Sequence, residues 1–125
     1  MTRQQMIDLV DRYFAAVDGE DFGVIQETLG ERCTFSVETH GVSLAGPGEI
    51  ETMFRRLWSD HAAVRHEDFV YVADVDAGRI AARFQVVNSH HDGSQTHKSN
   101  CNFFEIIDGR FARVAVYMEG DNTLN

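Results

Sequence analysis

The segment SNCNFFEIIDGRFARVAVYMEGDN, residues 99–122, decides the fold of this chain. β-Branched and aromatic residues dominate on both sides of Asp108-Gly109, and such residues favour strands. An Asp-Gly pair between two segments of this kind is a strong signal for a tight hairpin turn. We therefore predict two long antiparallel strands that fold back on each other at Asp108-Gly109.

The first of these strands has a mixed polar and apolar face. Because successive side chains of a strand point to opposite faces, one side carries Asn100, Asn102, Phe104 and Ile106. Two amides in line with two large apolar side chains suggest the wall of a cavity, since a buried amide needs partners that a ligand or water can supply. The alternative is that both asparagines face solvent or pair with neighbouring strands.

Composition excludes several classes of function. The chain has 125 residues, enough for one domain with one core, and a formal net charge of −9. Lys98 is the only lysine and there is no basic cluster, so no nucleic-acid partner is expected. No apolar run approaches the ~20 residues of a membrane span, and the polar N-terminus does not resemble a signal peptide. No membrane association and a cytoplasmic location are therefore expected.

Neither the cysteines nor the histidines predict a metal site. Cys33 and Cys101 are not at metal-ligand spacing, and reduced, buried thiols are expected, with a disulfide between neighbouring strands as the alternative. Strand alternation sends His90 and His91 to opposite faces, which separates them from a shared site with His97. No metal and no cofactor are therefore expected.

Three helices are predicted in the N-terminal half. Residues Arg3–Val17, Asp21–Leu29 and Pro47–His61 carry apolar side chains at spacings of three and four. Tyr13 places a hydroxyl on the apolar face of the first helix, where it either donates into a pocket or reaches solvent or a backbone carbonyl. In the third helix, Trp58 is expected in the core or a pocket lining, and His61 at the surface beside the negative end of the helix.

The remaining elements are predicted from alternation. Cys33–Thr39, Phe69–Val75 and Arg79–His90 are predicted strands, and Gly41–Gly48 is a predicted loop. The expected fold is α+β, with residues 1–125 forming one domain in which three helices pack on one face of a curved antiparallel sheet. Such a sheet encloses a cone-shaped cavity, which is a common kind of small-molecule site.

Three segments carry a resemblance to a known family: Arg12-Tyr13 followed by Val17-Asp18, Gly46–Ile50, and Asp108–Phe111 followed by Val116–Met118 and Asn122. They resemble the nuclear transport factor two-like superfamily and, within it, the SnoaL-like and ketosteroid isomerase-like branch. The resemblance covers nearly the whole chain and implies the fold expected above. It does not name a reaction, because this fold hosts isomerases, dehydratases, cyclases, epoxide hydrolases and non-catalytic proteins.

The resemblance implies roles for particular residues. Steroid isomerases hold the substrate oxygen with a tyrosine of the first helix and a protonated aspartate of the fifth strand, and Tyr13 and Asn102 match those positions. Their general base is an aspartate near the end of the first strand, where this chain has Val37. His90 and Glu119 are the candidate proton carriers that remain.

Other groups fit that role less well in the sequence. Glu38 faces away from the inner side unless a bulge turns it inward. SnoaL-type cyclases use an aspartate and a histidine as acid and base, but the sequence does not reveal such a pair. His40, His66, His91 and His97 are assigned to loops or strand ends, where a surface or structural role is the simpler interpretation.

We expect a small-molecule enzyme, an isomerase, cyclase or dehydratase, that acts by acid–base chemistry on an apolar or polycyclic ligand. Tyr13 and Asn102 would polarise a carbonyl oxygen. The alternatives are a non-catalytic binding module with the same pocket and a homodimer that contacts through the outer face of the sheet near Arg83, Gln85 and Val87. The predicted ligand-binding residues are Tyr13, Val37, Trp58, Phe84, Val86, Asn100, Asn102, Phe104, Val114, Val116 and Met118.

Overall fold

The structure, a computed structural model, describes all 125 residues and confirms the α+β fold. In chain order the elements are α1 (Arg3–Asp18), α2 (Phe22–Thr28), β1 (Leu29–Val37), a 3-10 turn (Glu38–His40), β2 (Val42–Ala45), α3 (Gly46–Asp60), β3 (Ala63–Asp74), β4 (Arg79–Ser89), β5 (Gln95–Ile107) and β6 (Arg110–Tyr117). None of the helices combines the length and the apolarity needed to cross a membrane.

Local capping explains where α1 and α2 begin. The Thr2 side chain accepts a hydrogen bond from the Gln5 N–H, while the Gln5 side chain accepts one from the Thr2 N–H, which forms a capping box at the start of α1. Asp21 caps α2 by accepting from the Val24 N–H. The predicted end of α2 is wrong, because Leu29 is already extended and begins β1.

The sheet has six strands in the order β2-β1-β6-β5-β4-β3. β1 and β6 are parallel, and all other neighbouring strands are antiparallel. The prediction of a wholly antiparallel sheet is therefore wrong for this one pair. Turn residues could not predict the direction of β1, because β1 follows a helix and is not joined to β6 by a hairpin. β2 lies in the predicted loop Gly41–Gly48; its four residues are too few to show a strand pattern and pair only with β1 at the edge.

The hairpin at Asp108-Gly109 is confirmed. β5 ends at Ile107, β6 begins at Arg110, and the two turn residues have φ of 52° and 76°, a conformation that glycine and, less readily, aspartate tolerate. Asn100, Asn102 and Phe104 are buried on the inner face, as predicted. Ile106 is only partly buried, because the register shifts between Glu105 and Ile106.

A bulge in β3 explains why its start was predicted too late. The register against β4 shifts between Glu67 and Val70, and Asp68 has a φ of 58°. An extra residue reverses the alternation of side chains, so His66 shares the inner face with Phe69 and not with Asp68. His66, which was predicted for a loop or strand end, therefore lies inside a strand and faces the helices.

One cluster of buried side chains joins the helices to the inner face of the sheet. Trp58 lies at its margin, partly buried, where the indole N–H donates to the Val17 carbonyl at 3.0 Å. The prediction of a surface position for His61 is wrong: the ring is buried and its Nδ1 lies 2.8 Å from the Leu57 carbonyl oxygen.

Three further side chains test the strand predictions. Cys33 and Cys101 are free thiols, and β6 lies between the strands that carry them. Cys33 is buried as expected, whereas Cys101 is only partly buried. On the outer face of the sheet, Val87 is buried, so it does not offer the exposed contact that was predicted there.

Candidate active site

A cavity lies between the inner face of the sheet and helices α1 and α3. The part wide enough for water is about 30 Å³, and the whole unfilled space, part of it open to solvent, is about 430 Å³. No carboxylate lines it. The lining residues are Tyr13, Phe14, Val17, Phe35, Phe54, Leu57, Val64, His66, Phe84, Val86, Asn88, Asn100, Asn102, Val116, Met118, Thr123 and Leu124.

Most of the predicted ligand-binding residues line this cavity, namely Tyr13, Phe84, Val86, Asn100, Asn102, Val116 and Met118. The others lie around it. Val37, Phe104 and Val114 are buried in the surrounding core. Trp58 stacks on Phe54 and does not reach the cavity wall.

The two predicted proton carriers, His90 and Glu119, lie outside the cavity, and so does Glu38. His90 Nε2 is 2.7 Å from the Thr96 hydroxyl, and its ring packs against His61. Glu119 is exposed, and its carboxylate accepts a hydrogen bond from the Ser99 N–H at 3.1 Å. The Glu38 carboxylate accepts from the Ser36 hydroxyl and from Arg113, and these bonds lower its pKa.

His66 is the titratable group that the structure places in the cavity wall instead. Its main-chain N–H donates to Asp18 Oδ2 at 2.8 Å, and its ring Nδ1 lies 2.5 Å from Asp18 Oδ1. The carboxylate thus holds the strand and the ring at once. Because a carboxylate accepts hydrogen bonds, Nδ1 carries the proton in the neutral ring and Nε2 is left as the acceptor. Nε2 has no hydrogen-bond partner in the protein.

Two aromatic rings fix the orientation of this imidazole. The ring centroid of His66 lies 4.7 Å from that of Phe14 and 5.2 Å from that of Phe84. His66 and Asp18 are 10% and 25% exposed through their side chains, so water competes little for the ring. The apolar contacts and the carboxylate therefore position one basic nitrogen at the cavity wall.

Asp18 occupies a place where a carboxylate is unfavourable for the helix. It is the last residue of α1, and no basic residue accompanies it in the last turn. The negative end of the helix dipole disfavours an anion there by roughly 0.3–1 kcal/mol. The hydrogen bonds to His66 offset this cost.

Tyr13 supplies a neutral donor on the helix side of the cavity. Its side chain is buried and contacts Phe14, Phe54, Phe104 and Phe111 edge to face. Burial, with a smaller contribution from the charge of a Cys33 thiolate, raises the pKa of the phenol far above its ordinary value. The hydroxyl makes no hydrogen bond to the protein and remains protonated, so it can donate to a ligand.

Three asparagines give the sheet side of the cavity its polarity. Asn100 Oδ1 accepts from the Glu119 N–H at 3.0 Å, which makes Asn100 part of the structural framework. Asn102 Oδ1 has no partner, and neither Oδ1 nor Nδ2 of Asn88 has one. Buried polar atoms without partners are uncommon in folded proteins, and these line a cavity in which a ligand could satisfy them.

The segment after β6 covers part of the cavity. Thr123 and Leu124 belong to its lining, and Lys98 Nζ holds this segment by donating to the main-chain oxygen of Asp121. Burial lowers the pKa of Lys98. Small-molecule pockets usually have about 300–1,000 Å³, whereas the part of this cavity that is wide enough for water has about 30 Å³. A ligand with rings therefore requires Leu124 and its neighbours to move apart.

The chemistry available is proton transfer with neutral hydrogen-bond donors. The cavity contains one basic nitrogen, one phenol that stays protonated and several amides. No group of three or more histidine, cysteine or acidic side chains is placed to hold a metal ion.

Residues 1–119 match the SnoaL-like domain family. The chain belongs to this family. The match covers nearly all of this chain and includes α1, β3 and the strands that line the cavity. No curated protein sequence matches it significantly.

Solved structures share the same fold at low sequence identity. A proposed polyketide cyclase from Xanthomonas campestris pv. campestris has a TM-score of 0.85 and 22% identity over 92% of this chain and 90% of its own. One from Pseudomonas putida KT2440 has a TM-score of 0.78 and 24% identity over 87% of each chain. An LEH-like epoxide hydrolase of M. tuberculosis has a TM-score of 0.76 and 19% identity over 93% of this chain and 84% of its own.

Two signals in the sequence could have revealed the Asp18–His66 pair. An aspartate in the last turn of a predicted helix, where a cation is preferred, indicates that another interaction holds it there. Val64 and His66 also alternate with the charged residues Arg65 and Glu67, and such alternation is typical of a strand. The bulge at Asp68 hid this pattern by reversing the alternation before Phe69.

Proposed function

We propose that this SnoaL-like protein catalyses proton transfer next to a carbonyl group of an uncharged, apolar substrate. The observation that carries the proposal is the Asp18–His66 pair, which presents one free basic nitrogen to a cavity without carboxylates. Isomerases, cyclases and dehydratases of carbonyl compounds all begin with such a proton transfer.

His66 acts as the general base. Its Nε2 removes a proton from the carbon beside the carbonyl, and Asp18 stabilises the imidazolium that forms. His66 is the only basic group in the lining, so the same nitrogen also returns the proton later in the reaction. This order conserves protons and needs no co-reactant.

Tyr13 stabilises the charge that develops on the substrate oxygen. Its hydroxyl has no protein partner and stays protonated, so it can hydrogen-bond the carbonyl and the enolate without rearrangement. Asn102 Nδ2 is a second candidate donor for the same oxygen. The apolar lining and the lack of a cation favour neutral substrates over anionic ones.

Deuterium exchange tests this proposal without knowledge of the natural substrate. The probe is benzylacetone, an apolar ketone, incubated in D₂O with the protein and followed by proton NMR. We expect the wild-type protein to accelerate exchange of the protons beside the carbonyl, and His66→Gln to lower this rate by about 10²- to 10⁴-fold. Equal rates for the two proteins would refute His66 as the base and leave a binding module as the better description.

Self-association through the outer face of the sheet is a separate part of the proposal. Val72 is 70% exposed and Phe103 is 40% exposed there, which supports a contact with a second copy. Sedimentation at micromolar concentration measures it. A dimer that Val72→Lys dissociates is the expected result, and a wild-type monomer would contradict it.

A further inference from the structure

Two histidines from different elements lie side by side where α3 ends. His61 follows the last residue of α3, and His90 follows the last residue of β4. Their ring centroids are 5.4 Å apart, and the ring planes make an angle of 43°. The two residues are far apart in the sequence, so only the fold brings them together.

Each of these rings uses one nitrogen to contact the protein and leaves the other without a protein partner. His61 Nδ1 lies 2.8 Å from the Leu57 carbonyl oxygen. Because a carbonyl only accepts, this Nδ1 carries the proton and Nε2 keeps a free lone pair. His90 Nε2 lies 2.7 Å from the Thr96 hydroxyl, which leaves its Nδ1 unpaired. Metal-binding histidines have this arrangement, in which one nitrogen donates to a protein group and the other coordinates the ion.

The separation of the rings fits two imidazoles that share one metal ion. A nitrogen–metal bond of about 2.0–2.1 Å places each ring centre about 3.2 Å from the ion, and a tetrahedral angle then separates the two centres by about 5.2 Å. The observed separation of 5.4 Å is close to this value. Two histidine ligands leave the other positions of the ion to water.

The surroundings of the two rings favour a cation. α3 ends at Asp60 without a basic residue in its last turn, so the negative end of the helix dipole meets His61. Asp92 is close to His90. Hydrogen bonds from Ser94 and, to a smaller extent, the charge of His90 lower the pKa of the Asp92 carboxyl. The helix end and this carboxylate both attract a divalent ion to the rings.

We propose that His61 and His90 together bind one divalent transition-metal ion, of which Ni²⁺, Cu²⁺ and Zn²⁺ suit the site. Imidazole nitrogen is a preferred ligand of these ions, whereas Mg²⁺ and Ca²⁺ prefer oxygen ligands. The site is separate from the proposed base, because neither histidine lines the cavity. Since the ion joins the end of α3 to the end of β4, it binds the folded protein more tightly than the unfolded chain.

Titration calorimetry with Ni²⁺ tests the site directly. We expect one ion per chain, and His61→Gln and His90→Gln should each weaken binding by about 10²-fold or more, because the two ligands act only together. The double variant should lose little more than either single variant. The matched control is His97→Gln, since His97 is exposed and paired with Val87 on the outer face of the sheet. This control should bind Ni²⁺ like the wild type.

Urea denaturation gives a second measure of the same binding. Saturating Ni²⁺ should raise the urea midpoint of the wild type and of His97→Gln, and it should leave the midpoints of His61→Gln and His90→Gln unchanged. His90 is only half-buried, so His90→Gln tests the site even if replacement of the buried His61 disturbs the fold.

The outcomes distinguish a shared ion from separate histidines. A wild-type protein that binds no Ni²⁺, or equal binding by the wild type and His90→Gln, would overturn the proposal. Two ions per chain, of which each single variant loses one, would indicate two independent histidines and would overturn it as well. Exchange of benzylacetone protons depends on His66 and not on this pair, so none of these results bears on the proposed function.

Discussion

Replacing Asp18 by asparagine perturbs the pair that organises the candidate site. Asp18 accepts two hydrogen bonds from His66, at 2.8 Å from the main-chain N–H and at 2.5 Å from the ring. Asparagine has the same size but only one acceptor oxygen, so one of these bonds is lost. Its NH₂ group also favours the tautomer in which Nδ1 accepts and Nε2 carries the proton.

The expected losses follow from these contacts. A hydrogen bond to a charged group contributes about 1.5–3 kcal/mol. Because Asp18 is 25% exposed, we expect a loss in the lower part of that range. Asp18→Asn should therefore lower the free energy of unfolding by about 2 kcal/mol and the Tm by about 7 °C. Exchange of benzylacetone protons should fall by about 10²-fold or more, because a protonated Nε2 cannot act as the base.

Urea denaturation followed by far-ultraviolet circular dichroism measures the first effect, and proton NMR in D₂O measures the second. Asp8→Asn is the matched control on the same helix. Asp8 is exposed, and its carboxylate meets only the Gln4 side chain, so stability should change by less than about 0.5 kcal/mol. An Asp18→Asn protein with wild-type stability and wild-type exchange would refute the account of the pair.

Three further predictions concern other parts of the site and core. Tyr13→Phe should leave stability unchanged or slightly higher, since the hydroxyl has no protein partner, but should lower the exchange rate by about 10²- to 10³-fold; an unchanged rate removes Tyr13 from the mechanism. Glu119→Gln should keep the wild-type rate, because Glu119 lies outside the cavity and an amide oxygen can still accept from Ser99; a large loss would contradict this placement. Burial raises the pKa of the Cys33 thiol from 9.0 to about 11. The preference of the folded state for the neutral thiol therefore adds fully to the free energy of unfolding below pH 9, and this contribution is lost as the pH rises to about 11. In urea denaturation between pH 9 and about 11, the free energy of unfolding should fall less for Cys33→Ala than for the wild type. An equally steep fall for both proteins would contradict a buried thiol at this position.

The fold was predictable where local chemistry determines it. Asp108-Gly109 defines the central hairpin, and the apolar stripe of α1 shows which face meets the sheet. The direction of β1 depends on pairing with the distant strand β6, which no local pattern records. β2 pairs with the neighbouring β1, but its four residues are too few to show a strand pattern.

The site was predictable on its helix and central strands but not on β3. Tyr13, Asn100 and Asn102 line the cavity as expected, because regular alternation and helical spacing assign their faces. His66 was missed because the bulge at Asp68 reverses the alternation of side chains along β3. The position of a bulge is difficult to predict from sequence, because it depends on the local backbone conformation. Glu119 and His90 follow the ends of strands, where the alternation of side chains no longer predicts the face to which a side chain points.

The most direct test of the central claim is a crystal structure with a naphthol bound, because its planar ring and hydroxyl mimic an enol. The account predicts that the naphthol oxygen lies about 3 Å from the Tyr13 hydroxyl, with the adjacent ring carbon against His66 Nε2 and the bond from Nδ1 to Asp18 retained. A naphthol bound in the cavity with its oxygen away from Tyr13, or with the His66 ring turned toward solvent, would contradict it.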